Sequence, residues 1–95
     1  IHVAPKEDTV VNNLYLFVLY PNPAWDIVYM TSYVSGLFEV SFFKVTCEIL
    51  WKDRLQFTAY HRKEFEVSHL QEAIYLIRVE GRDFVWNGKL VVIKD

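Results

Sequence analysis

Side chains able to do chemistry are few in this sequence and lie far apart. His2, His61 and His69 fall in three different segments without paired spacing, so they could share a metal ion only if the fold gathered them. Cys47 is the single cysteine, which excludes an internal disulfide and a thiolate metal site. It lies in an apolar, alternating stretch, and we expect it in the core rather than as a nucleophile. We therefore predict no metal site.

Patterns for acid–base and nucleophilic chemistry are equally weak. Glu64 and Glu66 stand on one face of an extended segment, but no feature pairs one as an acid with the other as a base. The sequence has no phosphate-binding loop and no serine in a recognisable nucleophile setting. We expect no catalytic residue and no cofactor, and a protein that is not an enzyme.

The tryptophans offer a possible binding surface. Trp25, Trp51 and Trp86 could form a platform on which sugar rings stack, because their faces are large and flat. The alternative is packing in or beside the core, which buries most of a large aromatic side chain. We expect the packing role.

Composition defines the class of protein. Ninety-five residues suit one domain with a single core, and a 53% hydrophobic content excludes a disordered chain. Ten Lys and Arg against twelve Asp and Glu give a net charge of −2, which provides no basic surface for nucleic acid. No stretch approaches the roughly 18 consecutive apolar residues that cross a bilayer. Because the sequence opens with Ile1 and shows no export signal, we expect a piece of a longer protein.

Short alternating segments predict a β-protein. Residues 1–13 contain Pro5, a charged run and two asparagines, and we interpret them as a linker or lead-in to a domain at 14–95. About seven strands without a helical period predict an antiparallel β-sandwich. The predicted segments are 14–20, 26–34, 37–51 with a bend or bulge near Phe43-Lys44, 55–60, 65–67, 74–80, 84–86 and 89–95.

Turn residues separate these strands. Pro21 and Pro23 end the first strand, because proline cannot donate to a ladder, and each keeps the preceding residue extended. The polar run Lys52-Asp53-Arg54 predicts a hairpin. Asn87-Gly88 predicts another, since a type I′ turn needs positive φ at both central residues. The last strand is then Lys89 to Asp95.

Three blocks occur in a fixed order along the chain. The first is Tyr20-Pro21-Asn22-Pro23 followed by Ala24, and the second runs from Phe65 to Leu70 and on through Tyr75. The third is Lys89-Leu90-Val91-Val92-Ile93-Lys94. Together they resemble the C-terminal sorting domain of proteins exported by the type IX secretion system of Bacteroidetes, over residues 20–95. Structural motif positions of that family are then expected at Tyr20, Pro21, Asn22, Pro23, Leu70, Tyr75, Asn87 and Gly88.

Two positions depart from the family pattern, and both lack a glycine. Lys52-Asp53-Arg54 replaces a glycine-containing turn, and Ala73 stands where the family has glycine two residues before Tyr75. Alanine at positive φ would cost about 1 kcal/mol or more, so Ala73 predicts a local adjustment.

The resemblance implies an immunoglobulin-like sandwich that serves as an address and performs no chemistry. The implied partners are the outer-membrane translocon, shuttle proteins and a sortase-like peptidase, which would cut at or before residues 1–13. The implied route passes through the periplasm to the outer-membrane surface or the medium. No metal, cofactor or nucleic acid is expected.

The terminal strand is the candidate recognition surface, because a last strand with free edge groups can be read by another protein. The residues concerned are Lys89, Leu90, Val91, Val92, Ile93, Lys94 and Asp95. The alternative is an ordinary last strand whose lysines protect an edge. Two other functions stay open: a retained component of the export machinery, and a glycan-binding or spacer module of an extracellular protein.

Overall fold

The fold consists of two antiparallel β-sheets, as shown by a computed structural model in which residues 16–94 are described. The seven strands are β1 (Phe17–Tyr20), β2 (Ile27–Ser32), β3 (Gly36–Lys44), β4 (Ile49–Phe57), β5 (Arg62–Glu66), β6 (Ala73–Glu80) and β7 (Val85–Val92). The narrower sheet has the order β1-β2-β5 and the wider sheet has the order β4-β3-β6-β7. The predicted all-β sandwich is confirmed. The predicted lead-in at 1–13, the start of the first predicted strand and Asp95 lie outside the described residues.

The core lies between the two sheets and is formed by alternate residues of the strands, which point inward. In β2, Val28 and Met30 point inward and are fully buried, while the residues between them face the outer surface. The inward residues of β6 behave in the same way. At one end of the core Phe17 of β1 contacts Phe57 and Trp86, with ring centroids 5.5 and 5.3 Å apart. Such edge and tilted contacts are the geometry that aromatic rings prefer.

The β3–β4 hairpin differs from the prediction. The register shifts between Phe42 and Phe43, which confirms a bulge there, but the chain reverses later, at residues 45–48. The amide of Lys44 donates to the carbonyl of Glu48 at 2.9 Å, and Cys47 adopts a φ of 75°. Cys47 is therefore an exposed turn residue, and its predicted place in the core is wrong. The predicted turn Lys52-Asp53-Arg54 is also wrong, because these residues form the middle of β4.

The Asn87-Gly88 hairpin does not exist, because both residues pair with β6 inside the continuous strand β7. The reason is packing. A Cβ atom at Gly88 would lie 2.2 Å from the indole ring of Trp86, so the missing side chain makes room for this ring in the core. The chain instead turns at Gly81, whose amide donates to the carbonyl of Phe84 at 3.0 Å. This turn lies between the predicted segments 74–80 and 84–86.

The adjustment predicted at Ala73 is also absent. Ala73 is the first residue of β6 and pairs with Val92. Among the described non-glycine residues, positive φ occurs at Cys47 and Tyr60, and not at Ala73. Alanine is therefore accommodated in an ordinary strand conformation.

Candidate functional site

One side of the sandwich is closed by the segment that follows β1. The side-chain Nδ2 of Asn22 donates to the carbonyl of Lys89 at 2.7 Å. The amide of Val91 donates to the Oδ1 of Asn22 at 2.8 Å. One side-chain amide thus makes the two bonds that a neighbouring strand would make at the outer edge of β7. The Tyr20-Pro21 and Asn22-Pro23 peptide bonds on either side of it are cis.

Ala24 continues this closure with its backbone. Its amide donates to the carbonyl of Val91 at 2.8 Å, and the amide of Ile93 donates to the carbonyl of Ala24 at 2.9 Å. Ala24 is fully buried and forms a parallel bridge with Val92. The edge of β7 from the carbonyl of Lys89 to the amide of Ile93 is therefore hydrogen-bonded. The prediction of free edge groups on the terminal strand is wrong for this stretch.

The predicted recognition residues divide between the core and the surface. Leu90 and Val92 are fully buried core residues, so their side chains are closed to a partner. Lys89 and Lys94 are exposed, and Val91 and Ile93 are half-buried. The ammonium of Lys94 donates to the carbonyls of Trp25 and Ser68 at 3.3 and 2.8 Å. These bonds connect the segment after β7 to two loops.

The second motif block fixes the corner between β5 and β6. Tyr75 is buried, and its hydroxyl donates to the carbonyl of Gln71 at 2.6 Å. Leu70 is half-buried and packs against the core. Both residues therefore contribute packing or hydrogen bonding at this corner.

Tyr20, the first motif residue, belongs to a polar and aromatic cluster on the outer face of the narrower sheet. Its hydroxyl lies 3.2 Å from the Oγ1 of Thr31, and its ring lies 5.7 Å from the ring of Tyr29. The guanidinium of Arg62 stands 4.1 Å above the centroid of Tyr29. The hydrogen bond with Thr31, followed by that with Arg62, lowers the pKa of Tyr20 below its ordinary value of 10.0, since both favour the phenolate.

The opposite side of the sandwich, between β4 and β5, is open. Three aromatic rings meet there: Trp51 lies 5.5 Å from Phe42 and 5.9 Å from Phe65. Trp51 nevertheless keeps 39% of its surface exposed. The groove beside these rings has a volume of about 380 Å³. Its lining comprises Phe42, Leu50, Trp51, Glu64, Phe65, Glu66, Val67, His69 and Leu70.

The backbone edge of β4 is protected by its own side chains. Asp53 lies opposite the buried Val40, which places its carboxylate on the inner face of an edge strand. Its Oδ1 accepts the amide of Arg54 at 2.8 Å, and the Nε2 of Gln56 donates to the carbonyl of Phe57 at 3.2 Å. Inward-pointing charges of this kind discourage the pairing of edge strands.

The outer edge of β5 also carries an inward-pointing charge, because Lys63 lies opposite the buried Met30 and its ammonium stands 5.3 Å from the ring centroid of Phe57. Val67 donates its amide to Asp26, and His61 accepts the amide of Ser32, so odd-numbered residues of this segment face β2. The backbone groups of Arg62, Glu64 and Glu66 therefore point away from the sheet. Within residues 16–94, no strand pairs with β5 on that side.

The remaining candidates stay apart. Trp86 is 6% exposed and belongs to the core, whereas Trp25 is 53% exposed and no ring contact joins any two tryptophans of the described chain. His61 and His69 are exposed, and His2 lies outside the described residues. Between residues 16 and 94, no cluster of three or more His, Cys, Asp or Glu could hold a metal ion. The same residues include no helix long and apolar enough to cross a membrane.

Sequence reasoning missed the role of Asn22 and the groove at Trp51. The signal for Asn22 was present, because a polar side chain between two prolines is free to replace the donors that the prolines lack.

No curated protein matches the chain significantly. The model of one protein family, described as the secretion system C-terminal sorting domain, matches residues 18–94.

Proposed function

Because the chain belongs to the family of C-terminal sorting domains, the signals of type IX secretion, we propose that it acts as a folded address read by contact alone. In this proposal the domain performs no chemistry. Proteins of the export machinery recognise its surface and move the protein that carries it toward the cell surface.

The observation that carries this proposal is the closure of the last strand. The family match at residues 18–94 runs from β1 to beyond β7, so it extends over the sandwich and not only over its final segment. Leu90 and Val92 of the final segment are buried, and its outer edge is bonded to Asn22 and Ala24. A receptor that read this segment as a free strand would have to displace those bonds. Recognition of the assembled domain needs no such displacement.

The proposed partners are the outer-membrane translocon, a shuttle protein that delivers the domain, and a sortase-like peptidase that removes it. The proposed route leads from the periplasm to the outer-membrane surface or the medium. Exposed residues are the ones available for these contacts, and Lys89 and Lys94 remain candidates among them.

A secretion assay tests the proposal. Residues 1–95 are fused to the C-terminus of an inert reporter in a host with a working type IX system. We expect the reporter at the cell surface or in the medium, and its retention in an otherwise identical host that lacks the translocon. A matched fusion carrying Leu90→Ala, which weakens the core without changing the surface, should be exported less in proportion to its lower stability. Equal export of the reporter without the domain would contradict the proposal.

A further inference from the structure

The outer face of the wider sheet has an apolar half at the end where β3 turns into β4. Phe43 pairs with both Ile49 and Leu76, and Ile74 pairs with Val91, so apolar side chains adjoin across all four strands. They point away from the core, because strand residues alternate and Tyr75, between Ile74 and Leu76, is buried. Ile74 and Leu76 keep 43% and 39% of their surface exposed. A contiguous apolar surface of this kind marks an interaction site.

The rest of the same face is charged. Its outward residues are Glu39, Lys52, Arg54, Arg78 and Glu80, which we call the charged half. Lys52 lies 3.8 Å from Glu39, and Arg78 lies 4.0 Å from Glu80, as long and exposed ion pairs. Such a surface is well solvated and needs no partner. The contrast within one face therefore locates a contact at the apolar half.

Strand β6 carries opposite charges at the two ends of the apolar half. Glu72 directly precedes β6 and lies on the side of Ile74 by alternation, and Arg78 lies on the side of Leu76. The outward side chains along this stretch are thus acidic, apolar, apolar and basic, symmetrically placed about Tyr75. Glu72 accepts the amide of Lys94 at 2.9 Å through its Oε1, which leaves its other oxygen to accept further bonds.

This order of side chains is complementary to itself when reversed. A two-fold axis that crosses the strands at Tyr75 places a second copy face to face, with its strands antiparallel to the first. Ile74 of each copy then meets Leu76 of the other, and Glu72 of each copy meets Arg78 of the other. On β7, Val91 meets Lys89 of the other copy, whose aliphatic stem can pack on it.

The direction of the axis follows from the charged half. With the axis across the strands, the two copies are displaced along the strands, and most of each charged half stays in solvent. An axis parallel to the strands, between β3 and β6, would instead set Glu39 of one copy against Glu80 of the other, because these residues are neighbours in the sheet. Facing like charges destabilise such a contact.

We propose that the apolar half is a contact between two copies of this chain, which form a symmetric dimer through the outer faces of their wider sheets. From Glu72 to Arg78 and across four strands the contact measures about 20 by 15 Å, which is at the small end of specific interfaces. The dissociation constant is therefore expected on the order of 100 µM. Self-association goes beyond the proposed function and does not depend on it.

Sedimentation equilibrium of the 95-residue chain tests the dimer between about 10 and 500 µM. We expect the average mass to rise from 11.3 kDa toward twice that value with concentration. Backbone amide resonances recorded over the same range should shift at Phe43, Ile74, Leu76 and Val91. A single species of 11.3 kDa throughout, or shifts confined to the narrower sheet or to the groove at Trp51, would overturn the inference.

A matched pair of variants tests the apolar contact. Leu76→Glu should raise the dissociation constant at least tenfold, to about 1 mM or above, because it places a carboxylate of each copy in the contact. Leu37→Glu makes the same change at an exposed leucine of the same face that lies opposite Gln56, beyond the charged half, and should leave association unchanged. Equal effects of the two variants would contradict the assigned surface.

Charge reversal tests the two-fold arrangement itself. Arg78→Glu and Glu72→Arg should each raise the dissociation constant about fivefold, since two attractive pairs become repulsive. The combined variant restores opposite charges at both pairs and should return the constant to within about twofold of the unmodified chain. Additive losses in the combined variant would overturn the inference. So would a chain that stays monomeric but shifts its Leu76 resonance on adding detergent micelles, because the apolar half would then bind lipid.

Discussion

The sheet edges on the two sides of this sandwich are covered in different ways. On the closed side, Asn22 and Ala24 complete the hydrogen bonds of β7, and the neighbouring Leu90 and Val92 are fully buried. On the open side, β4 and β5 each carry an inward-pointing charge, at Asp53 and Lys63, and the outward backbone groups of β5 lie beside an exposed tryptophan. The closed side therefore contributes hydrogen bonds and buried contacts, whereas the open side leaves apolar surface and backbone groups exposed.

Truncation of a large aliphatic residue on each side should give the largest contrast. Leu90→Ala on the closed side should lower the free energy of unfolding by about 2 to 5 kcal/mol, because it leaves a cavity in a fully buried site. Ile49→Ala, on the outer face of the open side's edge strand β4, should cost below about 1 kcal/mol, since the side chain is half exposed. Equilibrium unfolding in urea measures both. Similar losses for the two variants would remove the distinction between the sides.

The hydrogen bonds of the closed side give an intermediate effect. Asn22→Ala should lower the free energy of unfolding by about 1 to 2 kcal/mol, because it removes two hydrogen bonds and leaves the backbone of Lys89 and Val91 without them.

Asn87→Ala is the matched control for Asn22→Ala. Asn87 is exposed on the same strand, β7, and its replacement should change the free energy of unfolding by roughly 0.5 kcal/mol or less. Thermal unfolding of both variants compares them under one condition. A control as unstable as Asn22→Ala would show that the side chain of Asn22 does not close this edge.

The smallest effect concerns the cluster that links the strands of the two sides. Tyr20 belongs to β1 and Arg62 to β5, and together with Thr31 they hold the pKa of Tyr20 below 10.0 in the folded state. These hydrogen bonds favour the ionised form of Tyr20. The stability that they add is therefore present above the pKa of the unfolded state and is lost as the pH falls through the pKa of the folded state. No contribution is expected at neutral pH. A tyrosine titration followed by NMR should show Tyr20 ionising earlier than in a Thr31→Val variant, and coincident curves would contradict the assignment.

The strands could be predicted from sequence because inward and outward residues alternate, as in β2 and β6. The turns were harder to predict from sequence. Glycines and polar runs indicate turns, but the same residues also occur in strands where packing or an edge position requires them. Gly88 resembles half of a hairpin turn but serves to admit the ring of Trp86. Lys52, Asp53 and Arg54 resemble a loop but occupy an edge strand, where both faces are exposed.

The closed edge and the groove could not be predicted, because each is formed by segments that lie far apart in the sequence. Asn22 and Lys89 are 67 residues apart, and no local pattern links them. The groove depends on the sheets having unequal widths, which follows from topology and not from any one strand. Sequence could therefore provide the family and the kind of fold, but not which edge is closed.

The bonds of Asn22 also have a consequence for synthesis. Its partners, Lys89 and Val91, belong to β7, which is synthesised after the other six described strands. Until that strand emerges, β6 has no neighbour on one side and the core lacks Leu90 and Val92. A chain that stopped before β7 would thus lack the bonds to Asn22 and two fully buried core residues, so the closed side can form only after segments 67 residues apart have both been synthesised.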